Sequence, residues 1–405
     1  MTPALRGTLA LAAGGALGAL LHQPPVAAVM HTAADLAVRA VQVFVFPMVF
    51  FGLVAGMREL GRRGALRAHA RLLAGQAAAT VSLVSLGVLS VLAASPDRIP
   101  IIIVNRAAAS VPSFLQHAQR ALPTNLFAGL AGDGALLLPV YLIALVIGLS
   151  IPEDRSSRVI AELVEALARL FYRINSLVTG HLWIALLLGG ASLTAALRGG
   201  GAGPYGQLVL VLAIDLGLVL GGLLLWWRLL RHRQVEVPSL SGLTVPVLTG
   251  IGTGHHHAAL AALARHGAAD LRIPTRLGSA GFPLFAMFGR AGSAMVAAAS
   301  FTLVVRSYST IPLAWAEVLW IIGATSVLAF ALPAAPGGAA TAALALLAAG
   351  WGRGLEESYL LVAPVLPLLT AMGVAADVAI GGAIAVVTGA RERRQADPRP
   401  DRRQR

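Results

Sequence analysis

Cysteine and lysine are both missing from this chain of 405 residues. Without cysteine there is no disulfide, no thiolate metal site and no cysteine nucleophile. Charge of either sign is scarce as well: 12% of residues are charged, against about 25% in soluble domains. What fills the gap is apolar. The chain is 57% hydrophobic, its mean hydropathy is +0.78, and it repeats apolar runs near the ~20 residues that cross a bilayer. With lysine absent, every basic side chain behind the formal net charge of +13 is an arginine. In a soluble protein that charge would suggest nucleic acid. Here the arginines stand mainly in loops and one tail, so a topology signal is the reading and no nucleic-acid partner is expected. No nucleophile–base constellation or metal motif lies at membrane depth, so neither an enzyme nor a cofactor is expected.

The run Leu9–Leu21 has the length of a signal-peptide core but lacks a small-residue cleavage site before Pro24-Pro25, and is read as an uncleaved first span. Eight full spans are expected, near 4–22, 33–57, 69–94, 124–151, 165–196, 206–230, 278–306 and 357–389. The segments 238–272 and 311–351 are apolar but Gly/Pro-rich at their centres. Two re-entrant helical hairpins explain that pattern better than ordinary loops and extra spans do. The loop after the second span holds Arg58, Arg62, Arg63, Arg67 and Arg71, and later loops on that side hold Arg155 and Arg158, then Arg228, Arg231 and Arg233. The opposite connections are poorer: 22–34 has none, 197–205 only Arg198, and the longer 95–123 has Arg98, Arg106 and Arg120. Both termini are therefore expected in the cytoplasm. The tail 391–405 carries seven arginines and is read as disordered; it marks topology, or touches anionic lipid headgroups.

The most informative stretch is Gly281–Ser307. It reads as two half-helices, Gly281–Met287 and Ala294–Val305, around Phe288-Gly289-Arg290-Ala291-Gly292-Ser293. Glycine weakens a helix interior by about 1 kcal/mol, and a charge at the bilayer centre costs about 2.5–3.5 kcal/mol on insertion scales. Broken backbone at that depth survives only where it is buried in protein or lines a wet cavity. A Gly-interrupted apolar segment is thus a pointer to a transporter's binding site; the plainer alternative is a packing kink with Arg290 snorkelling. Asp215, in the middle of the sixth span, is a second intramembrane charge for which Arg290 is the obvious partner.

Taken in order, these elements resemble the dicarboxylate/amino acid:cation symporters, the glutamate-transporter fold. Three stretches carry the resemblance. VQVFVFPMVFFGLVAGM (Val41–Met57) is similar to that family's second span, and LPTNLFAGLAGDGALLLPVYLIALVIGLSI (Leu122–Ile151) to its "PSNPF-x-ALA-x-GN" entry into the fourth. Ile160–Thr194, an amphipathic helix running into a span, resembles the fifth. The resemblance implies an all-α polytopic membrane protein with eight transmembrane helices and two re-entrant hairpins. It also implies a homotrimer, in a bacterial-type inner membrane, working by alternating access. Residues 1–237 would be mainly scaffold and 238–390 the transport half with both hairpins and the seventh and eighth spans.

The family's substrate and ion motifs are altered here. Its serine-rich first hairpin tip corresponds to Thr249–His257, which places His256 and His257 where serines would stand. Thr253, Gly254, His256 and His257 become substrate-binding candidates and His255 an ion-coupling one. Histidine titrates near neutral pH, so the tip is either proton-coupled or a polar turn with no chemistry. The family's NMDGT in the seventh span corresponds to Gly289-Arg290-Ala291-Gly292-Ser293: the amide and the carboxylate are gone and an arginine has arrived. Arg290, Gly292 and Ser293 are substrate candidates, and Gly289 and Asp215 ion-coupling ones. Leu332–Ala339 corresponds to the second tip, giving Pro336, Gly337 and Gly338. In the last span, the family's ligand positions read Ala371, Val374 and Gly382, while Asp377, the one charge in its interior, falls off them; it is kept as a further substrate-binding candidate, the plainer reading being a helix residue facing a polar interface. The expectation is a carrier of a small organic anion or amino acid without the usual sodium coupling, in which Arg290 supplies the positive charge. A proton is a candidate coupling ion. A passive channel, or a non-transporting protein that kept the fold, is the alternative.

Overall fold

A computed structural model of the chain describes residues 2–58, 63–100, 138–152, 154–199, 203–232, 238–273, 281–282, 284–285, 288–309, 311–331 and 339–396. Among them the regular structure is entirely helical. In chain order the helices are α1 (Pro3–Leu20), α2 (Pro24–Arg58), α3 (Arg63–Ala94), α4 (Leu138–Ser150), α5 (Arg158–Thr179), α6 (Leu182–Gly199), α7 (Gly206–His232), α8 (Thr244–Thr253), α9 (His256–Ala269), α10 (Ala291–Tyr308), α11 (Trp315–Ala331), α12 (Ala339–Trp351) and α13 (Leu366–Ala396).

Four segments are long and apolar enough to cross a membrane: Pro24–Arg58, His69–Ala94, Gly203–His232 and Ser358–Arg391. A fifth is the pair Arg158–Thr179 and Leu182–Arg198, if its 54° bend lies within one span. The two helices of that pair differ in chemistry. On α5, Arg158 pairs with Glu162 at 2.8 Å and Glu165 with Arg58 of α2 at 3.2 Å, so one face is charged and wet. The buried positions Ala161, Ala168, Asn175 and Thr179 make the other. Past Gly180 the sequence turns apolar on all sides. Just before α5, the Asp154 carboxylate accepts hydrogen bonds from the Ser157 N–H and the Ser156 hydroxyl, both at 2.8 Å, which hold it below the usual carboxylate range.

Membrane helices approach closely where small residues meet, because lipid gives no hydrophobic drive to pack them. α1 lies along α6 in this way: a Cβ on Gly14 would stand 2.8 Å from the Leu187 carbonyl carbon, and one on Gly18 the same distance from that of Ala191. α2 lines up against α4, α5 and α6.

The second half of the chain builds on α13, which touches α3, α7, α8, α9, α10 and α12. α8 and α9 form a broken pair packed on α13. α9 is buried at His256 and along Ala258–Ala264, a stretch apolar on all sides. α11 and α12 form a second pair, whose connection at 332–338 lies outside the described residues. α3 lies against α10, α11 and α13, and α7 against α13 and α3. Two large apolar clusters result among the described residues: one joins α2, α4, α9 and the face of α13 around Val378 and Val386, the other joins α3, α7, α10, α12 and the start of α13; a small third one joins α2 and α6 around Met30 and Ala191.

A buried ion cluster at the helix break

The seventh apolar segment is broken where its glycine and arginine stand. Helical backbone at 284–285 ends with the Gly289 N–H donating to the Phe285 carbonyl at 2.7 Å, and α10 begins at Ala291. A new helix start leaves its first N–H groups without intrahelical partners. Here they are met from another helix: Asp377 of α13 accepts the Gly292 N–H at 2.7 Å and the Ser293 N–H at 3.0 Å on Oδ1, and the Ser293 hydroxyl at 2.6 Å on Oδ2. Asp377 is therefore an N-cap delivered in trans, its charge set at the positive end of the α10 dipole.

Glycine makes that approach possible. A Cβ on Gly292 would stand 2.5 Å from the Gly373 carbonyl oxygen and 2.8 Å from the Asp377 nitrogen; one on Gly373 would stand 2.9 Å from Ser293 Cα. The two helices cross glycine on glycine.

Around this cap sit the other charged groups. Arg290, 6% exposed, occupies the break itself and lies within electrostatic reach of Asp377 and of Tyr141 on α4. His256, the first residue of α9, is buried with its Nδ1 3.6 Å from Asp377 Oδ2. Its ring centroid is 5.2 Å from that of Phe285 and 6.1 Å, edge on, from that of His257.

Of the sequence-derived candidates, His256, Arg290, Gly292, Ser293 and Asp377 thus converge on one point, with Gly289 in the break and His257 beside His256. Thr253, Gly254 and His255 lie elsewhere on the same tip. Gly254 takes the left-handed conformation, φ +63°, its N–H closing on the Gly250 carbonyl at 2.9 Å, which is the glycine helix ending. These three residues line a cavity of about 660 Å³ together with His31, Asp35, Ser192 and Thr370. His31 Nδ1 lies 3.3 Å from the Ser192 hydroxyl, and Asp35 pairs with Arg39 at 2.7 Å. Pro336, Gly337 and Gly338 lie outside the described residues.

Two expectations about charge change. Asp215 finds its partner on α3: the Ser90 hydroxyl donates to its Oδ2 at 2.7 Å. The carboxylate in reach of Arg290 is Asp377, a substrate-binding candidate that the sequence had not paired with it. Tyr141, Ser90 and Phe285 went unnoticed as neighbours of these charges. Nothing in their local sequence singles them out, since each meets its partner through packing. Among the described residues no group of three or more His, Asp or Glu side chains is placed to hold a metal ion.

Several apolar helices long enough to cross a bilayer mark a multi-pass membrane protein. The chain belongs to the sodium:dicarboxylate symporter family, whose model matches residues 4–390. No curated protein matches the chain.

Proposed function

We infer that this protein is a secondary active transporter of a small organic anion or amino acid that works without the sodium coupling its family is named for. The observation that carries this is Arg290, buried in the break of the seventh span beside Asp377. Sodium sites need oxygen ligands and a net negative surround. Here the amide and carboxylate of the family motif are replaced by Gly289 and Ala291, and the remaining carboxylate already accepts from two N–H groups and a hydroxyl, with the Arg290 guanidinium within electrostatic reach. A fixed cation thus stands where a bound one would be, and it can grip a substrate carboxylate bidentately. The reading has eight spans and two re-entrant hairpins, α8–α9 and α11–α12, in a bacterial-type inner membrane with both termini cytoplasmic, as a homotrimer. Alternating access would carry the 238–390 half, with α3 and α7 packed on it, past a scaffold of the remaining early spans.

The test is uptake of labelled aspartate, glutamate, succinate and a neutral amino acid into proteoliposomes. It is run with a sodium gradient, a proton gradient or neither. Sodium-indifferent, saturable and stereospecific uptake is expected; non-saturable flux would mean a passive channel, and sodium-driven uptake would overturn the reading. Arg290→Met should abolish uptake or change its ion dependence, and unchanged sodium-independent transport in that variant would sink the role given to Arg290.

A further inference from the structure

We propose that His256 is the proton-binding residue of this carrier, and that an anionic substrate and one proton are carried together through the His256–Asp377–Arg290 cluster. This rests on the sodium-independent reading above and names its coupling ion.

Three observations carry it. The first is that, among the described residues, neither buried ring nitrogen of His256 has a hydrogen-bond partner within ordinary length. An imidazole left so in a packed interior forfeits about 1–3 kcal/mol per unsatisfied group, and such a group calls for an explanation. The second is direction: Nδ1 points at Asp377 Oδ2 from 3.6 Å, just beyond hydrogen-bond length, with the two side chains 3% and 0% exposed. The third is the charge count. Among the described residues, the charged groups acting on His256 are Asp377 from α13 and Arg290 from the break, while His257 is its neighbour on α9. One carboxylate and one guanidinium cancel, so the resting cluster is neutral with His256 uncharged.

A proton taken from water onto Nδ1 would turn that nitrogen into a donor to Asp377 Oδ2 and leave the cluster with one excess positive charge. Burial penalises an uncompensated charge heavily. A substrate bringing one net negative charge restores neutrality, so each ligand raises the affinity for the other, as reciprocal linkage requires. The histidine tip also borders a cavity. The 660 Å³ cavity reaches Thr253, Gly254 and His255, and His255 immediately precedes His256. The chemistry therefore selects a proton with a monoanionic carboxylate or amino acid, moved electroneutrally.

The experiment uses the full chain in proteoliposomes with labelled aspartate, which has one net negative charge, and an internal pH dye. For one proton per anion, an inward gradient of one pH unit should accumulate aspartate about tenfold at equilibrium, a factor of ten corresponding to about 1.4 kcal/mol. Whatever uptake remains in His256→Gln should equilibrate without accumulating and carry no proton. Accumulation in His256→Gln that still follows the pH gradient overturns the proposal. Wild-type uptake that ignores both sodium and pH gradients overturns it too while leaving the sodium-independent reading intact, and sodium-driven uptake overturns that reading first. Infrared difference titration of the purified protein between pH 8 and pH 4 gives a readout independent of transport. An imidazolium band moving with a carboxylate band is expected in wild type and lost in His256→Gln; identical spectra of the two proteins would refute the proposal whether or not aspartate is moved.

Discussion

Asp377 and Asp215 look alike in the sequence: each is a lone carboxylate inside an apolar helix, and each is 1% exposed in the fold. Their surroundings differ in kind. Asp215 meets one hydroxyl, that of Ser90 on the neighbouring α3. Asp377 meets two backbone N–H groups and a hydroxyl at the start of a helix, with an arginine and a histidine around it. The first arrangement ties two spans together. The second holds a broken span in shape and concentrates charge where the break opens. A buried carboxylate is thus informative through what it caps rather than through its depth.

The comparison can be broken by removing each carboxylate in turn. Asp377→Ala should have the largest effect. It strands the first N–H groups of α10 and leaves Arg290 without its opposing charge, and deleting one member of a buried pair costs about 3–5 kcal/mol. Thermal unfolding in detergent should show a lower midpoint, with transport lost; a midpoint near wild type would mean the cap is dispensable. Gly292→Ala comes next. Its Cβ would meet the Gly373 carbonyl oxygen at 2.5 Å, the backbones would have to part, and overpacking of this sort costs about 1–3 kcal/mol. Reduced stability with weakened substrate response is expected, and a wild-type profile would refute the close crossing. Asp215→Asn keeps an oxygen for the Ser90 hydroxyl and should cost less than about 1.5 kcal/mol, the worth of an ordinary hydrogen bond. Uptake by this variant should stay near wild type; loss of uptake would promote Asp215 from structural tie to working residue. The smallest effect belongs to Gly217→Ala, two residues along the same helix, where a Cβ meets nothing within 4 Å. It should stabilise α7 by at most about 1 kcal/mol, measured by the same unfolding curves.

Much of the fold was legible beforehand because it rests on local rules. The break in the seventh segment was marked by Gly289 and Gly292 flanking an arginine, and the structure puts the interruption at Gly289-Arg290 with α10 starting at Ala291, three residues before the expected Ala294. The earlier start has a physical cause: Asp377 satisfies the Gly292 and Ser293 N–H groups, so the helix can begin upstream of its apolar run. The first tip was legible too, since Gly254 takes the positive φ that a helix ending favours. The long amphipathic entry into the fifth span was visible in the charges of α5, but the 54° angle between α5 and α6 is a packing outcome.

The sequence by itself determined that this chain lives in a membrane, where its helices break and which charges lie at depth. Composition, glycine placement and the cost of charge in hydrocarbon are properties of short stretches of chain. Only the tertiary structure decided which charges meet. It made Asp377, a binding candidate off the family's ligand positions, the cap of α10, gave Asp215 to Ser90, and set His256 facing a carboxylate from a helix more than a hundred residues away in sequence. The reason is geometric: an interhelical contact at a glycine crossing depends on the axial position of one helix against another, and no local pattern encodes that.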